Sequence, residues 1–373
     1  MSEPQAEALI DLDAYRANVE AITRHVGDAQ IMTVVKANAY GHGSVPVARA
    51  AREVGVDWLG VATVDEAVAL RAAGDRGPLL CWLAAPGAAF AAAIEADVEV
   101  TASSVDQLDE ILSVAPRRPR VQLKVDSGLS RNGARGEDWS RLVEHAAAEQ
   151  AAGRVEVTGV WSHFACADEP QHPANDQQEA VFIAAIEELV AAGLEPGHRH
   201  LSNSAAALVR PSSRFDLVRL GIATYGINPA PGLEHPVPLR PVMTLRGRLA
   251  AVKRVSAGSG ISYGHTFTTD RETTVGLVPL GYGEGVPVRA SSRVGVGFGG
   301  ERLPQVGRVC MDQFMVDLGD RVAHRGDHVT LFGPGDDGEP LAEDWAVACG
   351  TIAYEIVTQI GGRVVRTYTG GQA

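Results

Sequence analysis

The sequence predicts an α/β protein built as a closed (β/α)8 barrel followed by a mostly β C-terminal domain, and three observations carry that reading. Between residue 30 and about 235, short β-branched runs alternate with Ala-rich helical stretches, the pattern of βα repeats around a parallel sheet. The runs number eight, the count that closes a TIM-like barrel. After a Pro-rich joint, PAPGLEHPVPLRP at 229–241, helical periodicity fades into Val- and Gly-rich alternation.

Taken in chain order, ALIDL near the start reads as a short strand belonging elsewhere, and DLDAYRANVEAITRHVG as a helix. The eight barrel runs follow: IMTVVK (31–36), WLGVA (58–62), LLCWL (79–83), VEVTA (98–102), VQLKV (121–125), VTGVWSHF (157–164), HRHLS (198–202) and LVRLGI (217–222). Between them, VDEAVALRAAG is a helix stopping at Gly74, and NDQQEAVFIAAIEELVAAG is one with an Asn start and a Gly193 stop. Beyond the joint, MTLRGRLAAVKRV, TTVGLVPLG, QVGRV, FMVDLG and DHVTLFG read as strands. The expected organisation is a strand at 1–10 packing with the β domain, a barrel at 11–235, and a β domain at 236–373.

Composition narrows the function. The chain has 373 residues, 45% hydrophobic and 21% charged, which supplies a core and argues against disorder. Lys and Arg number 33 against 46 Asp and Glu, and the net charge of -13 repels nucleic acid and anionic lipid alike. The opening MSEPQAEALIDL lacks a basic segment leading into an apolar one, and no run of about eighteen apolar residues occurs, so neither export nor a membrane anchor is expected. Cys81, Cys166, Cys310 and Cys349 lie far apart without a C-x-x-C pair, which suits a reducing cytoplasm and argues against a zinc site.

A closed barrel carries its reactive groups at the carboxyl ends of its strands. The first run ends VVKANAYGHG, which places Lys36 at the mouth with Tyr40 behind it, either as a snorkelling strand-end lysine or, since the apolar Val34 and Val35 desolvate the amine, in a Schiff-base role. The fifth run offers Lys124 in the wall and Arg131 on its loop, either a strand with an exposed Arg or an anion site. His163 ends the sixth run on the inward phase, as a packed core histidine or a site residue. Asn203 and Ser204 end the seventh, able to cap a helix or bind a phosphate. The eighth supplies the Gly221 and Ile222 amides and Arg219, a buried guanidinium that requires acceptors. Two patterns carry no function. Gly295-Val-Gly-Phe-Gly-Gly300 matches G-x-G-x-x-G but lies in the β-rich part and reads as a loop, and the basic run 116–120 reads as a solvated loop.

These residues lie along one barrel mouth, and with them the chain resembles the alanine racemases that depend on pyridoxal phosphate. The most specific stretch is VVKANAYGHG, followed in order by KVDSGLSRNG, HFACADE, SNSAA, VRLGIATYG, SYGHT, GYGEG, GRVCMDQ and TIAYEI. The resemblance implies that Lys36 carries the cofactor as a Schiff base, that Arg219 meets its pyridine nitrogen, and that Tyr40, Ser204, Gly221, Ile222 and Tyr354 hold its phosphate, with His163 and Asn203 also at the cofactor. It implies that Arg131 and the Met311 amide meet the substrate carboxylate, and that Lys124 sits where relatives often carry a carbamylated lysine. Tyr263 would be the second catalytic base, delivered by the other subunit of a homodimer with shared sites. His163 would neighbour that tyrosine and ease loss of its proton, His200 would neighbour Arg219, and Tyr282 and Asp312 would support the site.

The implied activity is interconversion of L-alanine and D-alanine by two bases, feeding peptidoglycan, with no metal. Leu129 and Ser130 stand where Met-Gly is frequent in relatives, and Glu284 where Asp is usual. A related barrel decarboxylase or aldolase is a second reading, disfavoured by SYGHT and CMDQ. A non-catalytic cofactor carrier is a third, and would have no use for the β domain or Tyr263.

Overall fold

The computed structural model describes residues 3–371, so the first two residues of the 1–10 segment lie outside the described part. The chain opens with β1 (Ala6–Asp11) and α1 (Leu12–Val26). Asp11 ends the strand and caps the helix, its Oδ1 accepting from the Asp13 and Ala14 amides at 3.0 Å each. The barrel then alternates β2 (Gln30–Val34), α2 (Lys36–Tyr40), α3 (Ser44–Glu53), β3 (Trp58–Val61), α4 (Val64–Ala72), β4 (Leu79–Cys81), α5 (Phe90–Glu95), β5 (Glu99–Ala102) and α6 (Val105–Val114). It continues with β6 (Arg120–Lys124), α7 (Glu137–Ala151), β7 (Glu156–Trp161), α8 (Ala174–Ala191), β8 (His198–His200), α9 (Ser204–Val209) and β9 (Leu217–Leu220).

All eight expected runs are strands, in the order β8-β7-β6-β5-β4-β3-β2-β9, each pair parallel. The two ends of the row meet through Asp216 N–H to Arg199 O at 3.1 Å and Arg219 N–H to Ser202 O at 3.0 Å, which brings the barrel close to closure. Outward residues such as Val121 and Leu123 pack beneath the helices in one large core. The interior is divided. Met32, Trp58, Leu80 and Leu217 form a separate apolar cluster on one side, while Glu99, Gln122, His200 and Arg219 are buried on the other.

Beyond the barrel come β10 (Met243–Arg248), β11 (Ala251–Val255), β12 (Gly260–Ile261), β13 (Phe267–Thr268), β14 (Thr273–Val278), β15 (Gly295–Phe298), β16 (Glu301–Val306), β17 (Phe314–Gly319) and β18 (His328–Phe332). They are followed by α10 (Ala342–Cys349), α11 (Ala353–Thr358) and β19 (Val365–Thr369). Nine strands form one sheet, in which β1 runs antiparallel to β10 and parallel to β19.

Two local expectations change. The helix expected to start at an Asn starts at Ala174, because Asn175 turns its amide back to Cys166 O at 3.0 Å and Glu169 O at 2.9 Å and ties the loop after β7. The G-x-G-x-x-G match is a β-hairpin and not a loop: Phe298 pairs with Glu301 across Gly299 and Gly300, at φ +59° and +81°, values glycine adopts without strain. The basic run is a loop whose guanidiniums also anchor neighbours, Arg117 to Ile94 O at the end of α5 and Arg118 to Val155 O.

Asn18 fastens the joint between the two parts. Its side-chain oxygen accepts from Arg240 N–H and its amide donates to Arg240 O, each at 2.8 Å. Asn18→Ala leaves both backbone groups without these partners, at about 1–3 kcal/mol for each buried group. The expected outcome is a lowered midpoint in urea and thermal unfolding with an unchanged far-ultraviolet dichroism spectrum, and an unmoved midpoint would contradict it.

Candidate active site

Lys36 follows β2 after the single residue Val35. The next four residues, Ala37, Asn38, Ala39 and Tyr40, all hold φ between +51° and +54°, so α2 is a left-handed turn made without glycine. Such residues cost about 1–2 kcal/mol each, and specific bonds hold them here. Glu66 of α4 accepts from Ala37 N–H at 2.6 Å with one oxygen and from the Ala62 and Thr63 amides with the other. His42 is fully buried, and its Nδ1 lies 3.0 Å from Ala39 O and 2.9 Å from Tyr40 O. Burial pushes that imidazole down to about 4, so it stays neutral and donates through Nδ1.

The turn opens onto a cavity of about 1050 Å3 at the carboxyl ends of the strands. Lys36, Tyr40, Lys124, Arg131, His163, Asn203, Ser204, Arg219, Gly221, Ile222 and Tyr354 all line it. Tyr354 comes from α11, so the C-terminal part closes one wall.

The floor is Trp161. Lys124 Nζ lies 4.0 Å over its ring and the Arg219 guanidinium carbon 4.9 Å. Arg219 donates to Ser162 O at 2.7 Å, His200 O at 3.0 Å and Leu201 O at 3.1 Å, and meets the Nδ1 atoms of His200 and His163 at 3.0 and 3.2 Å. Burial brings the guanidinium down to about 9, which leaves it charged at neutral pH. Among the described residues none of Lys36, Lys124, Arg131 or Arg219 forms a salt bridge.

Burial and this unpaired positive charge together govern the neighbouring groups. Burial, then Arg131, lowers the Lys36 amine, against a smaller opposing pull from Glu66. Burial, then Arg219 and Arg131, pushes Lys124 down to about 7. His163 is held well below the usual imidazole range by burial and Arg219, so its ring is neutral. Because Arg219 only donates, His163 Nδ1 accepts and its Nε2 carries the hydrogen. The ring therefore offers a hydrogen-bond donor.

One end of the cavity fits a phosphate. Ser204 Oγ accepts from Gly221 N–H at 2.8 Å, which leaves its hydroxyl hydrogen free to donate. A Cβ on Gly221 would lie 2.5 Å from Tyr40 Oη, so only glycine permits this approach. The Asn203 side chain is committed to capping α9 through Ala206 N–H at 3.1 Å. The set of a half-buried lysine with lowered basicity, donors at the Ser204–Ile222 corner and an arginine beside an aromatic floor fits a phosphorylated aldehyde cofactor such as pyridoxal phosphate.

Tyr263, Tyr282, Met311 and Asp312 do not line the cavity of their own chain. They gather on the β domain instead. Ser262 Oγ donates to Arg308 O at 2.8 Å, Tyr282 N–H to Cys310 O at 3.0 Å and Gly283 N–H to Met311 O at 2.8 Å. Tyr263 is 70% exposed and Met311 55%. Glu284, in place of the more usual Asp, is buried and meets Arg363, which also holds Asp312 at 2.6 Å.

Sequence reasoning missed Trp161, Glu66 and Trp82, the last lining the cavity with its ring centroid 5.9 Å from Lys36 Nζ. Trp161 stands two residues before His163 on the same strand phase, a signal that was present. Glu66 completes a T-x-x-E capping box with Thr63, also legible, whereas its bond to Ala37 was not.

Comparison with known proteins agrees along the whole chain. Residues 10–229 match the family model described as alanine racemase, N-terminal domain, and 242–368 that described as alanine racemase, C-terminal domain. Alanine racemases of Frankia casuarinae and Thermobifida fusca are 54% and 52% identical, covering 97% and 98% of this chain and 95% and 98% of their own. The crystal structure of alanine racemase from D-cycloserine-producing Streptomyces lavendulae superposes with a TM-score of 0.98 at 51% identity, covering 100% of this chain and 99% of that one. By sequence and by structure, this chain belongs to the alanine racemase family.

Proposed function

We propose that this protein is a cytoplasmic isomerase that interconverts L-alanine and D-alanine with pyridoxal phosphate, working as a homodimer and supplying D-alanine for peptidoglycan. The observation that carries the reading is a lysine of lowered basicity at a barrel mouth whose other three cations, Lys124, Arg131 and Arg219, also lack carboxylate partners among the described residues. Such a mouth attracts two anions, the cofactor's phosphate and the substrate's carboxylate.

Racemisation removes the α-proton and returns one to the opposite face. Two acid–base groups at about 10²–10⁴-fold each supply at most about 10⁸-fold, which covers only the lower end of the roughly 10⁶–10¹⁷-fold span of enzymes. When bound, pyridoxal phosphate supplies the electron sink that delocalises the charge left on the α-carbon. The protein's own groups do the rest. Tyr40, Ser204, Gly221, Ile222 and Tyr354 hold the phosphate end, with Asn203 ordering that corner as the cap of α9. Arg131 binds the carboxylate, together with the Met311 amide of the second copy. A neutral Lys124 amine beside Arg131 is available for the carbamylation that relatives often carry.

Lys36 handles the proton on one face. Its lowered pKa makes the neutral amine available at a lower pH than for an ordinary lysine. Tyr263 of the second copy handles the other, which accounts for a 70% exposed phenol lying outside its own cavity. His163, through Nε2–H, donates to the phenol oxygen and stabilises its ionised form. Arg219 cannot accept a proton, so it leaves the cofactor's ring nitrogen unprotonated and the sink moderate, which favours return of the proton over transamination.

Chiral analysis of L-alanine incubated with protein and cofactor, beside an absorbance scan for the bound aldehyde, tests the whole reading. D-alanine must accumulate to equimolarity. Borohydride reduction and peptide mapping must place the label on Lys36, and a label on another lysine would overturn the assignment. Tyr263→Phe is expected to lower turnover by about 10²–10⁴-fold while cofactor absorbance persists, and normal turnover would remove the second base. Arg219→Glu is expected to raise pyridoxamine phosphate formed per racemisation event, measured by chromatography of the released cofactor, and an unchanged ratio would contradict the role given to the arginine.

A further inference from the structure

Below the cavity, inside the barrel, runs a chain of hydrogen bonds that the proposed reaction does not call upon. Arg219 only donates, so at their 3.0 Å contact His200 Nδ1 is the acceptor, and the hydrogen of the neutral ring sits on Nε2. His200 Nε2 donates to Gln122 Oε1 at 2.7 Å. This fixes the amide, whose Nε2 donates to Glu99 Oε2 at 2.9 Å. The opposite amide orientation would set two donors against each other at His200 and two acceptors at Glu99. Every bond therefore points from the guanidinium towards the carboxylate.

Glu99 ends the chain as an acceptor. Thr158 Oγ1 reaches the same oxygen at 2.7 Å, and Arg120 Nε lies 3.1 Å from the other. Strand alternation builds the path, since Arg120, Gln122 and Lys124 share one phase of β6 and stand at successive levels from the floor of the barrel to its mouth. Packing holds it in place. His200 lies parallel to the Trp161 ring, 3° between planes and 5.7 Å between centroids. A Cβ on Gly159 would come within 3.0 Å of the Gln122 amide carbon, so glycine makes the room. Gln122 and His200 are wholly buried and Glu99 is 5% exposed, which makes the relay inaccessible to bulk water.

A buried guanidinium whose direct partners are all neutral still requires a counter-charge. We propose that Glu99 is that counter-charge and a positioning residue for Arg219, acting through Gln122 and His200. The carboxylate polarises the amide and the imidazole, so that His200 Nδ1 accepts more strongly from Arg219. The guanidinium then presents less positive charge to the cavity. This rests on the racemase reading, in which Arg219 faces the cofactor's ring nitrogen.

Two variants of the full-length holoenzyme separate this from a merely structural role. Glu99→Gln removes the charge, while Gln122→Met interrupts the relay and leaves the Glu99, Thr158 and Arg120 contacts in place. With 15N-histidine labelling, and the His200 signal assigned by its absence in His200→Gln, both variants are expected to move the Nε2–H proton upfield. Both are also expected to raise pyridoxamine phosphate per racemisation event by roughly 3- to 10-fold, the factor one hydrogen bond is typically worth. Unchanged His200 resonances and an unchanged ratio in folded Gln122→Met protein would overturn the relay, even if Glu99→Gln fails to fold. A wild-type protein without racemase activity would instead overturn the reading of the site, and a His200 signal that still responds to Gln122→Met would keep the relay standing apart from it.

Discussion

Behind Lys36 the backbone is held in a left-handed turn that no glycine relieves, and much of the molecule is arranged around that constraint. At about 1–2 kcal/mol per residue, the four positions together approach the net stability of a typical domain. The turn persists because bonds from several elements over-determine it. Glu66 holds its first amide and His42 its last carbonyls, while Arg366 of β19 donates to Gly41 O at 2.6 Å. The C-terminal part also packs against the turn at van der Waals limits. A Cβ on Gly41 would lie 2.3 Å from Val357 O, and one on Gly43 2.0 Å from Tyr368 Oη. The lysine's position therefore depends on both parts of the chain, and the joint secured by Asn18 bears directly on the site.

Charge is distributed with the same economy. A chain of net charge -13 concentrates unpaired cations at one barrel mouth, where low-dielectric walls focus their field. The divided interior makes this tolerable. The cluster of Met32, Trp58, Leu80 and Leu217 fills one side with mostly apolar side chains, whereas the opposite strands carry the hydrogen-bonded series of Arg219, His200, Gln122 and Glu99. Burial first, and then the same cations that attract anions, keep Lys36 and Lys124 less basic and His163 neutral. Anion binding and a proton-accepting amine thus follow from one electrostatic arrangement.

The sequence made the barrel legible because buried parallel strands leave short, largely apolar runs between helical stretches, and a strand lies in each of the eight runs. Their ends were less legible: HRHLS gives a strand of only His198–His200, since Leu201 and Ser202 already turn towards α9. Lys36 and Arg219 stood out as charges on apolar strands. The left-handed turn did not, because Ala-Asn-Ala-Tyr contains no glycine and its φ values are imposed by distant contacts. Asn175 misled for a related reason, its side chain being drawn into a loop bond instead of a cap. Glu99 and Gln122 were invisible as a relay because strand phase reveals which side a residue faces, not which strand end lies beside it.

Under the proposed reaction, the separation of Tyr263 from Lys36 in one chain makes the packing of the β domain around the tyrosine matter. A base supplied from a second copy is effective only if it arrives already oriented, since a displacement of about 1 Å can lower a rate by about 100-fold. Here Ser262 beside the tyrosine donates to Arg308 O, and a Cβ on Gly307 would come within 2.7 Å of Ile261 O, so glycine allows the two segments to pack closely. The Met311 carbonyl accepts from Gly283 N–H at 2.8 Å, and a Cβ on Gly281 would lie only 2.4 Å from it. Arg363 then ties Asp312 to buried Glu284, and the longer carboxylate in place of Asp extends this bracing towards the guanidinium. Exposure of these side chains therefore does not imply looseness. They stand on a braced surface, and the chemistry assigned to them requires only that a second copy dock there without rearranging it.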